Sequence, residues 1–188
     1  MKALLKELLK EEEIAGFVSA IDAGKCPAVM SGVSPVHKAA VLACILEKTD
    51  IPVCVVCSDD GEARRFASDI RSFTGEVPAI ITGREFVFYN VDVASRQNEQ
   101  MRLQTLYQIL HNETRIVIAT TEGLLQRTLP PEILNNCAMR ISASDEIAPE
   151  KLIEKLVTAG YTRADQVEGC GQFSSRGGIL DFFSPAHA

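Results

Sequence analysis

The chain has 188 residues, 46% of them apolar and 23% charged, with a formal net charge of −6. These values describe a globular protein of one domain, or one domain plus part of another, with enough apolar mass to fold without disulfides. The acidic balance argues against a stand-alone DNA binder, since phosphate neutralisation supplies most non-specific affinity, and no apolar run approaches the roughly 20 residues needed to span a bilayer.

Residues 2–22 carry Leu4, Leu5, Leu8, Leu9, Ile14, Phe17, Val18 and Ile21 at spacings of three and four. That spacing predicts helix, with a break near Glu12 to Ala15 and a stop at Gly24. Acidic residues at Glu7 and Glu11 to Glu13 interrupt what would be the apolar core of a signal peptide, so the segment reads as an amphipathic helix of a cytoplasmic protein. The run Cys26–Ser31 reads as a first strand. A loop follows it, Gly32-Val33-Ser34-Pro35-Val36-His37-Lys38-Ala39, and then a helix to Lys48. Strand, glycine-led turn and lysine-bearing helix are the layout of a phosphate-binding loop, G-x-x-x-x-G-K-[ST].

In this loop Gly32 and Lys38 are in register with the motif, but three requirements fail. His37 stands where the second Gly lets backbone approach the phosphate. Ala39 replaces the magnesium-binding hydroxyl, and Pro35 removes an N–H donor. No acidic pair follows the strand Arg115–Ala119. The loop therefore reads as degenerate, with no cofactor, leaving Gly32, His37, Lys38 and Ala39 as scaffold.

Ile51–Cys57 is a continuous β-branched run of the kind expected in a strand buried on both faces. Its Cys54 and Cys57 point to opposite sides of a strand and cannot share a metal; buried free thiols are the reading. Ser58-Asp59-Asp60 caps a helix through Phe66 and Ile70 to Phe73, closed by Thr74-Gly75. Val77–Ile81 and Glu85–Tyr89 read as strands. Ser95–Leu110 reads as a helix with Met101, Leu103, Leu106, Ile109 and Leu110 inward and Arg96, Gln97, Glu99 and Gln100 in water. Arg115–Ala119 reads as a buried strand. Thr120-Thr121-Glu122 caps a short helix, and Pro130-Pro131 starts another turn. Strands alternating with helices predict a mostly parallel α/β sheet flanked by helices.

The grammar then changes. Met139–Ala143 reads as a short strand and Ala148–Ala159 as a helix with Leu152, Ile153, Leu156 and Val157 inward. Three extended segments, Tyr161–Glu168, Gly171–Ser175 and Gly178–Phe183, are joined by glycine turns and read as an antiparallel meander. The expected division is a helical segment over 1–24, a degenerate phosphate-loop, RecA-like α/β domain over 25–138, and a small, truncated α+β domain over 139–188. His37, His111 and His187 lack metal spacing, and Cys170 has no histidine at a spacing that suggests a catalytic thiol.

The stretch Gly160-Tyr161-Thr162-Arg163-Ala164-Asp165-Gln166-Val167, followed by Gly171-Gln172-Phe173-Ser174-Ser175-Arg176-Gly177-Gly178-Ile179-Leu180-Asp181-Phe182-Phe183, fits the long pattern G-Y-x-R-x-D-Q-V-x-x-x-G-x-F-x-x-R-G-G-I-L-D-x-F. It resembles the N-terminal region of the bacterial transcription-repair coupling factors, and its second half is shared with the excision-repair protein UvrB. The helix over 95–110 and the strand and helix over Ile116–Leu125 resemble the same family. UvrB-like proteins keep G-V-T-G-S-G-K-T where this chain has Gly32–Ala39, and they carry a tyrosine-rich hairpin that is lacking here. The resemblance implies a non-catalytic module that recruits UvrA to stalled transcription complexes through the small domain. It assigns partner contacts to Arg163 and Arg176, with Phe173 as an apolar neighbour; Ser174 stands where UvrB has a further Arg. The family's motor and RNA-polymerase-binding domains, also partners of this module, match nothing in this chain. The competing reading is a UvrB- or helicase-like nucleotide-binding domain that contacts DNA, motivated by Lys38.

Overall fold

The computed structural model describes residues 1–83 and 92–184; the strand expected at Glu85–Tyr89, the side chains of Arg96 and Gln97, and His187 lie outside the described residues. The chain divides into two compact units, Met1–Arg84 with Asn112–Gln126, and Glu85–His111 with Arg127–Ala188.

In the first unit, α1 (Lys2–Leu8) and α2 (Glu12–Asp22) replace the single broken helix expected over this segment, with the break at Leu9–Glu11. Gly24 ends α2 at φ +68, and Lys25 N–H donates to the Ala20 carbonyl while Gly24 N–H donates to that of Ile21. This paired arrangement satisfies two terminal carbonyls and needs a residue that tolerates positive φ. α3 (Pro35–Lys48), β1 (Val53–Cys57), α4 (Asp60–Thr74), β2 (Ala79–Ile81), β3 (Ile116–Thr120) and α6 (Thr121–Leu125) follow the predicted order. The strands form a parallel sheet in the order β1-β3-β2.

The register explains the core. Val53, Val55 and Cys57 share a face with Ile116, Ile118 and Thr120. Ala39, Leu46, Ile70 and Ile116 form one buried cluster there, and Cys57, Ala63, Ala67 and Ile118 form another. α3 and α4 therefore cover one face of the sheet. The opposite side of α3 buries Ala43, Cys44 and Ile45 against Leu5 of α1 and Val18 of α2. Burying such aliphatic side chains contributes about 1.5–3 kcal/mol each.

Two expectations fail in this unit. Cys26–Ser31 is not a strand: Pro27 has no N–H for a ladder, and Val29 is 87% exposed. β1 is not buried on both faces: its alternate residues Cys54 and Val56 are exposed on the face opposite α3 and α4. An all-apolar run announces a strand but not whether a second layer covers it. Cys54 and Cys57 do face opposite sides, and only Cys57 is buried.

Arg115 ties the helical layer to the sheet. Its guanidinium donates to the carbonyls of Leu46 at 2.6 Å and Thr49 at 2.8 Å, where α3 ends. A cation at a helix C-terminus meets unpaired carbonyls and the negative end of the dipole.

The second unit contains α5 (Asp92–Leu110), α7 (Pro131–Cys137), α8 (Pro149–Thr158) and a three-stranded sheet of β4 (Thr162–Arg163), β5 (Gln172–Arg176) and β6 (Ile179–Phe182). Met101 and Ile109 of α5 are exposed rather than inward, and so is Val157 of α8, whose inward residue is Leu156. Met139–Ala143 forms no strand. Ser142 N–H donates to the Asp145 carboxylate and Asp145 N–H to the Ser142 carbonyl, so a local turn takes the groups a ladder would need. The sheet has the order β4-β5-β6, with β5 and β6 antiparallel but β4 parallel to β5. It is mixed, not a pure meander. The connection from β4 to β5 is long enough to return the chain to the same end, which neither glycine count nor periodicity shows. Gly160 closes α8 at φ +88 with the same pair of bonds as Gly24: Tyr161 N–H to the Leu156 carbonyl and Gly160 N–H to that of Val157.

Candidate functional site

Two places carry the candidate residues, one in each unit. At the start of α3, Gly32 has φ +73, and Gly32, His37 and Lys38 are exposed while Ala39 is fully buried. Ser34 is the N-cap: its hydroxyl accepts from His37 N–H at 3.5 Å and its carbonyl accepts from Lys38 N–H at 2.9 Å. Pro35 has no N–H. The N–H groups of His37 and Lys38 are thus directed at Ser34, where a phosphate cradle would turn such donors toward the anion. Ala39 packs in the core beside Leu46 and Ile70. A hydroxyl there would sit among aliphatic side chains, facing no open site.

Beside this turn lies a mainly apolar slot of about 840 Å³, lined among others by Met30, Val33, Lys38, Val55, Val56 and Phe66. Carboxylates stand at its rim. Asp59 caps α4 by accepting from Glu62 N–H at 2.8 Å, and Glu62 accepts from both the N–H and the hydroxyl of Ser58 at 2.8 Å. The Glu62 N–H, with the Ser58 hydroxyl, holds the Asp59 carboxyl below the usual carboxylate range. The Ser58 N–H and hydroxyl do the same for Glu62, with a smaller contribution from the Lys38 ammonium. The charge of Lys38 is therefore opposed by fixed anions at the place where a triphosphate would need cations.

The second place is the small sheet. β5 and β6 are joined by Gly177-Gly178, with Gly177 at φ +58 in the first central position, as a type II′ hairpin turn requires. Phe173 pairs with Phe182 and Arg176 with Ile179, while Arg163 of β4 pairs with Phe173. Paired residues share a face and successive residues alternate. Arg163, Phe173, Leu180 and Phe182 therefore lie on one face, and Ser174, Arg176, Ile179 and Asp181 on the other. The family resemblance names Arg163, Phe173 and Arg176 together as partner contacts; the register places the two arginines on opposite faces. Arg163 and Arg176 are exposed, while Phe173 is 2% exposed and belongs to the core.

Ser174, also buried, donates its hydroxyl to the Asp165 carbonyl at 2.9 Å, and Gln172 accepts from the N–H groups of Glu168 and Gly169. The loop between β4 and β5 is thus tied over one end of the Arg176 face. The hairpin end of that face stays open and displays Ile179, 66% exposed, beside Arg176. Arg176 Nη2 lies 3.6 Å from the Asp181 carboxylate. Sequence reasoning misses Ile179 and Asp181. Their signal is present as the period-two count back from Arg176 across a two-residue turn. Cys170 is half-buried and burial pushes its thiol up, the opposite of an activated nucleophile.

Residues 139–188, the region that bears this hairpin, match the family described as the UvrB interaction domain. Over its length the chain is similar to transcription-repair-coupling factors. It is 25% identical over 182 residues to that of Bacillus subtilis (strain 168), covering 95% of this chain and 15% of the relative. It is 28% identical over 145 residues to that of Escherichia coli (strain K12), covering 77% and 13%, and 26% identical over 168 residues to that of Staphylococcus aureus (strain USA300), covering 85% and 14%. The resemblance to the N-terminal, UvrB-like region of the coupling factors therefore holds. The chain spans about one seventh of the length of these relatives.

Proposed function

We propose that this chain is a non-catalytic docking module that binds UvrA through the small sheet of its C-terminal region and thereby links a stalled transcription complex to excision repair in the cytoplasm. The observation that carries this reading is the UvrB interaction domain over residues 139–188, whose sheet displays Arg163 and Arg176 to solvent. Exposed arginines beside apolar side chains are the kind of anchor that dominates protein interfaces. Phe173 acts from the core, holding the strand that presents Arg176. The first unit supports the reading by its chemistry. The turn at Gly32–Ala39 directs the His37 and Lys38 N–H groups at Ser34, buries Ala39 and faces carboxylates, so this chain hydrolyses no ATP at this turn. Residues 139–188 are the docking domain.

The test is a binding titration with purified UvrA. Arg176→Ala should weaken binding by about 1–3 kcal/mol if the guanidinium makes a desolvated, charge-assisted contact. Arg163→Ala, on the opposite face, reports whether the partner also reaches that side. Unchanged affinity in both variants would sink the assignment.

A further inference from the structure

We infer that Asp181 is a positioning residue for Arg176: it orients the guanidinium across the open end of the hairpin so that this cation, with Ile179, meets the partner as one preformed patch. The inference rests on the docking function proposed above.

Three observations converge on it. The register pairs Arg176 with Ile179, so Asp181, two residues further on, lies diagonally across the hairpin on the same face. Diagonal neighbours in an antiparallel pair are within reach of long side chains. The Arg176 Nη2 to Asp181 Oδ2 distance is 3.6 Å, an ion pair at one corner of a group with five N–H donors, which leaves the rest of the fork for a partner. The side chains remain 68% and 53% exposed. An ion pair that open adds little to folding. Its effect falls on the conformational freedom of Arg176. That residue abuts a glycine turn and is flanked on its strand by the small Ser175, so its long stem has few neighbours to restrict it. A side chain already held in one arrangement loses less freedom on binding. The neighbouring Ile179, 66% exposed, supplies apolar area that a partner can cover, and the carboxylate rejects an acidic residue opposite it.

The experiment measures UvrA affinity of the 188-residue chain for Arg176→Ala, Asp181→Asn, Asp181→Glu and the double variant Arg176→Ala/Asp181→Asn, with thermal melts in parallel. Asp181→Asn is expected to weaken binding roughly two- to fivefold without lowering the melting temperature, and Asp181→Glu to restore most of the loss, because its carboxylate still reaches the arginine. In the Arg176→Ala background Asp181→Asn should have no further effect. Loss in Arg176→Ala with none in Asp181→Asn overturns the positioning role alone, as does an equal Asp181→Asn loss in both backgrounds. Unchanged affinity in Arg176→Ala overturns the contact at this face, and the positioning role with it.

Discussion

Arg115→Ala tests how the helix that carries the degenerate loop is fastened to the sheet. The substitution removes two hydrogen bonds from a charged donor, to the carbonyls of Leu46 and Thr49. Bonds to charged groups are worth about 1.5–3 kcal/mol each. Both bonds come from one nitrogen, which favours the lower end. The favourable interaction with the helix C-terminus adds about 0.3–1 kcal/mol. Against this, the Arg115 Nε is buried without a partner among the described residues, and removing it relieves about 1–3 kcal/mol. The expected net loss is about 2 kcal/mol of stability in the first unit, from those same ranges. Both bonds leave the one nitrogen Nη2, and a lysine ammonium can also donate twice, but from a shorter stem and with stronger hydration, so Arg115→Lys should recover about half. Native-state thiol labelling is the assay, because Cys44 and Cys57 are buried in this unit and become reactive only when it opens. An Arg115→Ala loss below about 0.5 kcal/mol, the level of an ordinary surface substitution, would refute the reasoning.

Gly123→Ala should destabilise the same unit by about 1–3 kcal/mol despite the better helix propensity of alanine, since a Cβ would meet the Ile81 carbonyl oxygen at 2.5 Å and backbone cannot swing aside; the thiol assay reads this too, and a neutral result would mean that α6 shifts freely. Acid should loosen the start of α4. Asp59 and Glu62 both titrate below their ordinary values, so the stability they contribute is present above the unfolded carboxylate range and is lost as pH falls through their lowered folded values; the protection of the Glu62 amide against exchange, relative to the unfolded chain at the same pH, should fall there, and Asp59→Asn, which caps without titrating, should flatten the response. Calorimetry with ATP and Mg²⁺ should show no binding, and micromolar binding abolished by Lys38→Ala would restore the nucleotide-site reading of the loop at Gly32–Ala39.

Much of the order of elements is legible in the residues themselves. The apolar periods of α3, α4 and α8, the caps at Ser34, Asp59 and Thr120, and the stops at Gly24, Gly75 and Gly160 are local chemistry, and local chemistry is written in neighbouring residues. So is the loss of the loop's phosphate chemistry, because it depends on which side chains stand at Pro35, His37 and Ala39. The family resemblance rests on a long motif and reaches the C-terminal module the same way.

What only the tertiary structure decided is pairing and covering. A strand needs a partner, and neither Cys26–Ser31 nor Met139–Ala143 has one, though both carry apolar residues. β1 has the composition of a doubly buried strand, but only one of its faces is packed, and Cys54 and Val56 on the other are exposed. β4 runs parallel to β5 where glycine turns suggested a meander. The candidate site changed for the same reason. Arg163, Phe173 and Arg176 stay neighbours in a motif, but strand alternation sends the arginines to opposite faces and register buries the phenylalanine. Composition and periodicity specify what a segment prefers; which face meets water depends on segments far away in the chain.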